Sequence, residues 1–162
     1  MRKVSARLGR GMTDSFVLED EDATLSLGKS IAGILRVGDF VALHGDLGAG
    51  KTTLTRGIIQ ALLGGQEEVP SPTYTLVQVY DGPDFPLWHF DLYRLEDPEG
   101  VEELGWDETV EGVALVEWPE HAGRHLPQVR LDVLLEIHGD QRCVRLEPKG
   151  EGWQERLHGF SH

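Results

Sequence analysis

The sequence predicts an α/β fold: one domain with a central, mostly parallel sheet, antiparallel hairpins and few helices. Three observations point there. Phe40–His44 and Val113–Val116 are short apolar runs of the length of buried strands. Two stretches, around Leu27 and around Leu54, carry apolar residues at helical spacing. Near the end, Val129, Leu131, Val133, Leu135 and Ile137 recur at every second position, the period of a half-buried strand. At 162 residues the chain suits a single domain that buries a core without a disulfide staple.

Each element follows in order. Ser15–Leu18 reads as a short strand. Asp22 is expected to cap a helix carrying Leu27, Ile31, Ile34 and Leu35 on one side, with Gly38 as its stop. Phe40–His44 is a buried strand, and Lys51–Leu63 is a helix with Leu54, Ile58, Ala61 and Leu62 on its apolar stripe, ended by Gly64 and Gly65. Thr75–Tyr80 is extended, and Asp81–Pro86 (DGPDFP) is turn chemistry. Leu87–Asp91 then returns as the second arm of a hairpin. Val101–Leu104 suggests a short helical piece. Val144 and Leu146 pair back on the alternating strand across a turn at Gly139 and Asp140.

The formal net charge is −13, although Arg2, Lys3, Arg7 and Arg10 lie in the first ten residues. So acidic a surface repels nucleic-acid phosphates and disfavours direct, tight nucleic-acid binding. The single cysteine, Cys143, rules out an intramolecular disulfide and fits a reducing compartment. No apolar run approaches the ~20 residues of a membrane helix. Residues 1–12 are expected to form a frayed tail, or to precede a start at Met12, and residues 13–162 to form the domain. Seven histidines show no paired ligand spacing, which speaks against zinc.

Residues 45–53 read GDLGAGKTT. Gly45, Gly50, Lys51 and Thr52 satisfy G-x-x-x-x-G-K-[ST], with an apolar strand entering and an amphipathic helix leaving. In that context Gly45, Asp46, Leu47, Gly48, Ala49, Gly50 and Thr53 are expected to wrap phosphate groups with backbone N–H, and the helix N-terminus adds partial positive charge. Lys51 would reach the terminal phosphates and Thr52 would offer its hydroxyl to Mg²⁺. The chain contains no asparagine, so the guanine-reading Asn-Lys-x-Asp motif is impossible and ATP is the expected nucleotide.

A phosphate loop also needs a carboxylate to manage metal or water. Glu117 closes VALVE and Asp91 closes LWHFD. If both strands run parallel to Phe40–His44, both acids emerge at the edge where Lys51 and Thr52 lie. Either role, metal or water, fits either residue. Ser71–Thr75 (SPTYT) is a hydroxyl-rich loop of switch type or an ordinary connection. Trp118 is a stacking or packing residue, and His89 reads as a neutral strand residue.

GDLGAGKTTLTRG, SPTYTLV, HFDLYRLEDPE and LVEWPE in this order resemble the bacterial TsaE (YjeE) family, from about Asp22 to about Glu120. The resemblance implies a P-loop NTPase-like domain and a Mg²⁺-dependent ATPase of the cytoplasm. Its expected work is the formation of threonylcarbamoyladenosine at position 37 of tRNAs reading codons that start with A. It further implies TsaB and TsaD as partners, with tRNA held mainly through that complex. It implies Lys51 and Thr52 as nucleotide and Mg²⁺ residues, Glu117 as a metal-side carboxylate, Asp91 as a second catalytic carboxylate and Thr73 as a switch-like residue. Two other readings of the residues stand beside it. One is a small-molecule P-loop kinase, for which Arg124 and Arg130 are the lid candidates. The other is a nucleotide-gated binding module.

Overall fold

The computed structural model describes residues 3–7, 14–65, 68–158 and 160. Among them eight strands form one mixed sheet: β1 (Lys3–Arg7), β2 (Asp14–Leu18), β3 (Phe40–His44), β4 (Val77–Asp81), β5 (Pro86–Asp91), β6 (Val113–Glu117), β7 (Arg130–His138) and β8 (Gln141–Lys149). Their order is β1-β2-β8-β7-β3-β6-β5-β4. The centre is parallel: β3 lies between β6 and β7, and β5 continues the parallel run beyond β6. Antiparallel hairpins extend both sides, β4 on β5 and β8 on β7.

Alternation along the central strands sends side chains to two cores. Val41, Leu43, Leu87, Val113, Leu115, Leu131 and Val133 face α1 (Glu21–Ala32), α2 (Lys51–Leu63) and α3 (Trp153–His158). Phe40, Ala42, Trp88, Phe90, Ala114 and Val116 face the other way, under three 3-10 segments at Pro98–Leu104, Trp106–Glu111 and Pro119–His125. There Trp106 sits edge-on to Phe40 and Phe90, with centroids 5.4 and 4.9 Å away, and its Nε1–H donates to the His125 carbonyl at 3.2 Å. Arg156 of α3 closes the first core, clamping both oxygens of Asp39 at 2.7 and 2.8 Å just before β3.

Several elements lie where the sequence places them, and β3 and α2 agree at both ends. Others shift for local reasons. The first helix is capped by Asp20, not Asp22: Asp20 is extended, and its carboxylate accepts from the Ala23 N–H at 2.8 Å. Asp22 falls inside the first turn, where its charge still suits the helix dipole. The helix stops at Gly33 rather than Gly38, because the chain must turn back to enter β3. Ile34 and Leu35 reach the core from successive tight turns instead of a continued helix. The strand expected from Thr75 begins at Val77, since Leu76 adopts a left-handed φ of 69°. Val129, expected on the alternating strand, lies just outside β7 and is exposed. Lys3–Arg7 pairs with β2, unlike the frayed tail expected over 1–12; residues 1–2 and 8–12 lie outside the described residues.

The two long helices touch backbone to backbone. A Cβ on Gly57 would stand 2.5 Å from the Leu25 carbonyl, and one on Gly28 would stand 2.6 Å from the Leu54 carbonyl. Glycine at both points lets α2 lie close on α1, which fixes the helix that starts at the phosphate-type loop. Gly57→Ala must push the helices apart, so its stability in urea unfolding is expected to fall by about 1–3 kcal/mol. An unchanged midpoint would show that the crossing yields freely.

Candidate functional site

The site grows from the C-terminal edge of the parallel strands. Residues 45–50 leave β3, turn through Gly48 and Gly50, and enter α2 at Lys51. Gly50 has φ 105°, a conformation that a side-chain-bearing residue rarely adopts, so glycine is required at the last residue before the helix. α1 and α2 begin differently. The first turn of α1 has the Asp20 cap and two acids, whereas no side chain caps α2 and its first turn holds no acid. The free N–H groups and dipole of α2 therefore face a cavity of ≈ 410 Å³ as an anion-seeking end.

The register brings the acids to the same mouth. Asp91 is the partner of Glu117, and Glu117 in turn pairs with Leu43 of β3. Both carboxylates line the cavity though each residue is nearly buried. The Thr52 hydroxyl donates to Glu117, 3.0 Å from Oε1 and 3.1 Å from Oε2. His89 Nε2 lies 2.7 Å from Oε2 of the same carboxylate. Asp91 is held differently: Ser71 donates its hydroxyl to Oδ2 at 2.6 Å, and the Tyr93 N–H donates to Oδ1 at 3.0 Å. Thr73 stands behind Ser71, 3.3 Å from its oxygen and 3.5 Å from Asp91 Oδ2. The strained Leu76 contributes as well, since its carbonyl accepts the Asp91 N–H at 3.0 Å.

Lys51 is 5% exposed. Its Nζ donates to the Gly45 carbonyl, lies 3.4 Å from the Asp46 carbonyl, and sits 3.7 Å from the centroid of the Trp118 ring. Burial lowers its pKa from the usual lysine value, while the charges of Glu117, Glu120, Asp91 and Asp46 pull the other way. Trp118 itself has a left-handed φ of 59° and lies tilted against Tyr93, ring centroids 5.0 Å apart, and both rings line the cavity.

Of the residues that the sequence singles out, Asp46, Leu47, Gly48, Gly50, Lys51, Thr52, Thr53, Thr73, Asp91 and Glu117 line this cavity together. Gly45 is not part of this lining, although its carbonyl accepts from Lys51 Nζ, and Ala49 is buried in the turn behind, packed into the core. Leu47 is the exposed tip at 65%. Sequence reasoning missed Ser71, left Trp118 undecided and read His89 as a neutral strand residue. Ser71 had a signal in its hydroxyl-rich loop, but only the fold shows which hydroxyl meets Asp91. A smaller cavity of ≈ 210 Å³ adjoins across Gly48, Gly50 and Thr53, lined also by Thr24, Asp140 and Arg142. There Arg142 grips the Gly48 carbonyl from β8, at 3.1 Å through Nη2.

The side-chain donors around the main cavity are hydroxyls and carboxylates, Thr52, Asp91 and Glu117 among them, hard oxygens that suit Mg²⁺ and not a soft metal. A glycine loop between a buried parallel strand and an uncapped helix, with acids at the same sheet edge, defines a P-loop NTPase-like domain. The family model described as "Threonylcarbamoyl adenosine biosynthesis protein TsaE" matches residues 18–145, and the chain belongs to the TsaE family. Similar curated proteins are each named tRNA threonylcarbamoyladenosine biosynthesis protein TsaE. The one from Haemophilus influenzae is 42% identical over 136 residues, 80% of this chain and 85% of that protein. The one from Bacillus subtilis is 42% identical over 121 residues, covering 74% and 75%. The crystal structure of Bacillus subtilis YdiB superposes with a TM-score of 0.74 at 32% identity, over 94% of both chains.

The loop is anchored at its entry by a second charged group. His44, the last residue of β3, lies 3.2 Å from Asp132 Oδ1, which also accepts from Arg130 Nε at 2.8 Å. Burial opposes ionisation of Asp132, but hydrogen bonds from His44 and Arg130 outweigh it, and the carboxyl titrates below the usual aspartate range. With the folded pKa below the unfolded one, the pairing stabilises the fold above about pH 4, and this is lost as pH falls through the folded value. Urea unfolding between pH 6 and 3 is expected to show a steeper acid loss of stability in the wild type than in Asp132→Asn. Parallel pH profiles would show that the pair adds nothing.

Proposed function

We propose that this chain is the ATP-hydrolysing member of the machinery that forms threonylcarbamoyladenosine in tRNA. On this reading it works in the cytoplasm with TsaB and TsaD. The observation that carries the ATPase reading is the uncapped N-terminus of α2, set between Lys51 and two carboxylates at one sheet edge. Membership of the TsaE family supports the pathway. The −13 net charge supports a division of labour in which partner proteins hold most of the tRNA. Among the described residues no helix is long and apolar enough to cross a membrane.

The residues divide the work as follows. Loop amides and the α2 N-terminus bind the phosphates. Lys51 exchanges the carbonyls of Gly45 and Asp46 for phosphate oxygens, under the cover of Trp118. Thr52 and Glu117 would hold Mg²⁺, because the hydroxyl and carboxylate already converge. When bound, the ion would neutralise charge on the terminal phosphates. Asp91, fixed by Ser71 and the Tyr93 N–H, orients a water towards the γ-phosphate and accepts its proton. The products are ADP and phosphate. The 210 Å³ cavity beside Thr24 and Arg142 is placed to take the nucleoside. The kinase alternative loses its lid candidates: Arg124 pairs with Glu99 at 2.9 Å, and Arg130 with Asp132 and the Pro127 carbonyl.

Phosphate release and equilibrium ATP binding test this together. Lys51→Ala is expected to abolish hydrolysis nearly completely with the circular dichroism unchanged. Asp91→Asn and Glu117→Gln are expected to slow hydrolysis by about 100-fold or more while ATP still binds. Hydrolysis at the wild-type rate in any of the three would refute its assigned role. Full function of the non-hydrolysing variants in tRNA modification would instead favour a nucleotide-gated binding module. ATP and Mg²⁺ are further expected to strengthen association with a TsaB–TsaD pair in sedimentation, and identical association without nucleotide would count against coupling.

A further inference from the structure

His89 sits on the α2 side of β5, between Leu87 and Asp91 in the alternation, and is fully buried. Its register partners are Leu115 of β6, an apolar core residue, and Gln78 of β4, which is exposed. Nε2 lies 2.7 Å from Glu117 Oε2, whereas Nδ1 has no hydrogen-bond partner. A carboxylate oxygen accepts, so Nε2 carries the proton of this contact, and Nδ1 is left without a partner among the described residues. Leucine or phenylalanine would fill the space without that penalty. An imidazole here needs a reason beyond packing, and among the described residues its polar contact is with Glu117.

The Glu117 carboxylate is held from two sides, by Thr52 at the start of α2 and by His89 on the neighbouring strand. Thr52 alone, a single hydroxyl near both oxygens, leaves the carboxylate free to rotate about its own axis. The imidazole N–H pins Oε2 and so decides which oxygen faces outwards. We propose that His89 is a positioning residue: by donating Nε2–H to Oε2 it fixes the Glu117 carboxylate so that Oε1 is presented beside Thr52 to a divalent cation. His89 itself is not among the residues that line the cavity. The inference rests on the ATP and Mg²⁺ reading of this site.

The test compares wild type, His89→Phe, which keeps a ring without a donor, and His89→Gln, whose amide N–H can stand where Nε2–H stands. ATP affinity is measured by equilibrium dialysis across a Mg²⁺ titration and again in EDTA, with thermal unfolding of each form alongside. The Mg²⁺ concentration that half-maximally tightens ATP binding is expected to rise about tenfold or more in His89→Phe, the scale of lost outer-sphere support for a metal ligand. Affinity in EDTA should stay at the wild-type value, and His89→Gln should recover most of the shift. An unshifted Mg²⁺ midpoint in a folded His89→Phe overturns the proposal and leaves the ATPase reading intact. If wild-type ATP binding ignores Mg²⁺, the ATPase reading falls and the proposal falls with it. Should His89→Phe fail to fold, His89→Asn replaces it, since its shorter amide cannot reach Glu117. Equal midpoints for the Asn and Gln variants then overturn the proposal.

Discussion

A carboxylate buried at the end of a parallel strand constrains everything around it. Glu117 is 2% exposed, and an acid taken out of water must find donors or positive charge. It finds Thr52, His89 and the nearby Lys51 charge. Each of these comes from a different piece of chain. Thr52 requires α2 to begin beside β6, and His89 requires β5 to be its neighbour in parallel register. Lys51 requires the glycine loop to fold back beneath Trp118. Moving β5 or β6 by one residue would turn Asp91, His89 or Glu117 to the opposite face of the sheet.

The same arrangement leaves costs unrelieved within the chain itself. The first turn of α2 has no capping side chain, and the Lys51 ammonium is buried beneath an indole. Leu76 and Trp118 both hold left-handed backbone, and His89 keeps a bare Nδ1. Such features cluster where a structure is committed to binding rather than to its own stability. The surrounding scaffold is rigid by contrast. The sheet centre is apolar on both faces, α1 and α2 meet through glycines, and Arg156 locks the C-terminal helix to the entrance of β3. Strain at the edge is sustained by close packing behind it.

The two carboxylates illustrate how neighbouring acids find separate partners. Their residues are register partners on adjacent strands, whose backbones lie about 4.8 Å apart in the pairing direction. Asp91 is clothed by the hydroxyl of Ser71 and by a backbone N–H, Glu117 by a hydroxyl and an imidazole. The choice between metal side and water side, open from the residue types alone, is therefore argued from Thr52, which contacts Glu117.

The sequence by itself determined the class of fold, the glycine loop and the strand–loop–helix frame from Phe40 to Leu63, because these depend on local periodicity and short-range backbone requirements. It also pointed to Asp91 and Glu117, since an acid that closes an apolar run is visible without a partner. It missed the true start and stop of α1, where one turn of helix was traded for entry into β3, and it did not see the helical tail at Trp153–His158. Which hydroxyl meets Asp91, that Trp118 covers Lys51, and that His89 faces Glu117 were decided only by tertiary structure. Those contacts join residues 20 to 67 positions apart, and nothing in local sequence encodes which distant side chains a shared sheet edge will bring within hydrogen-bond reach.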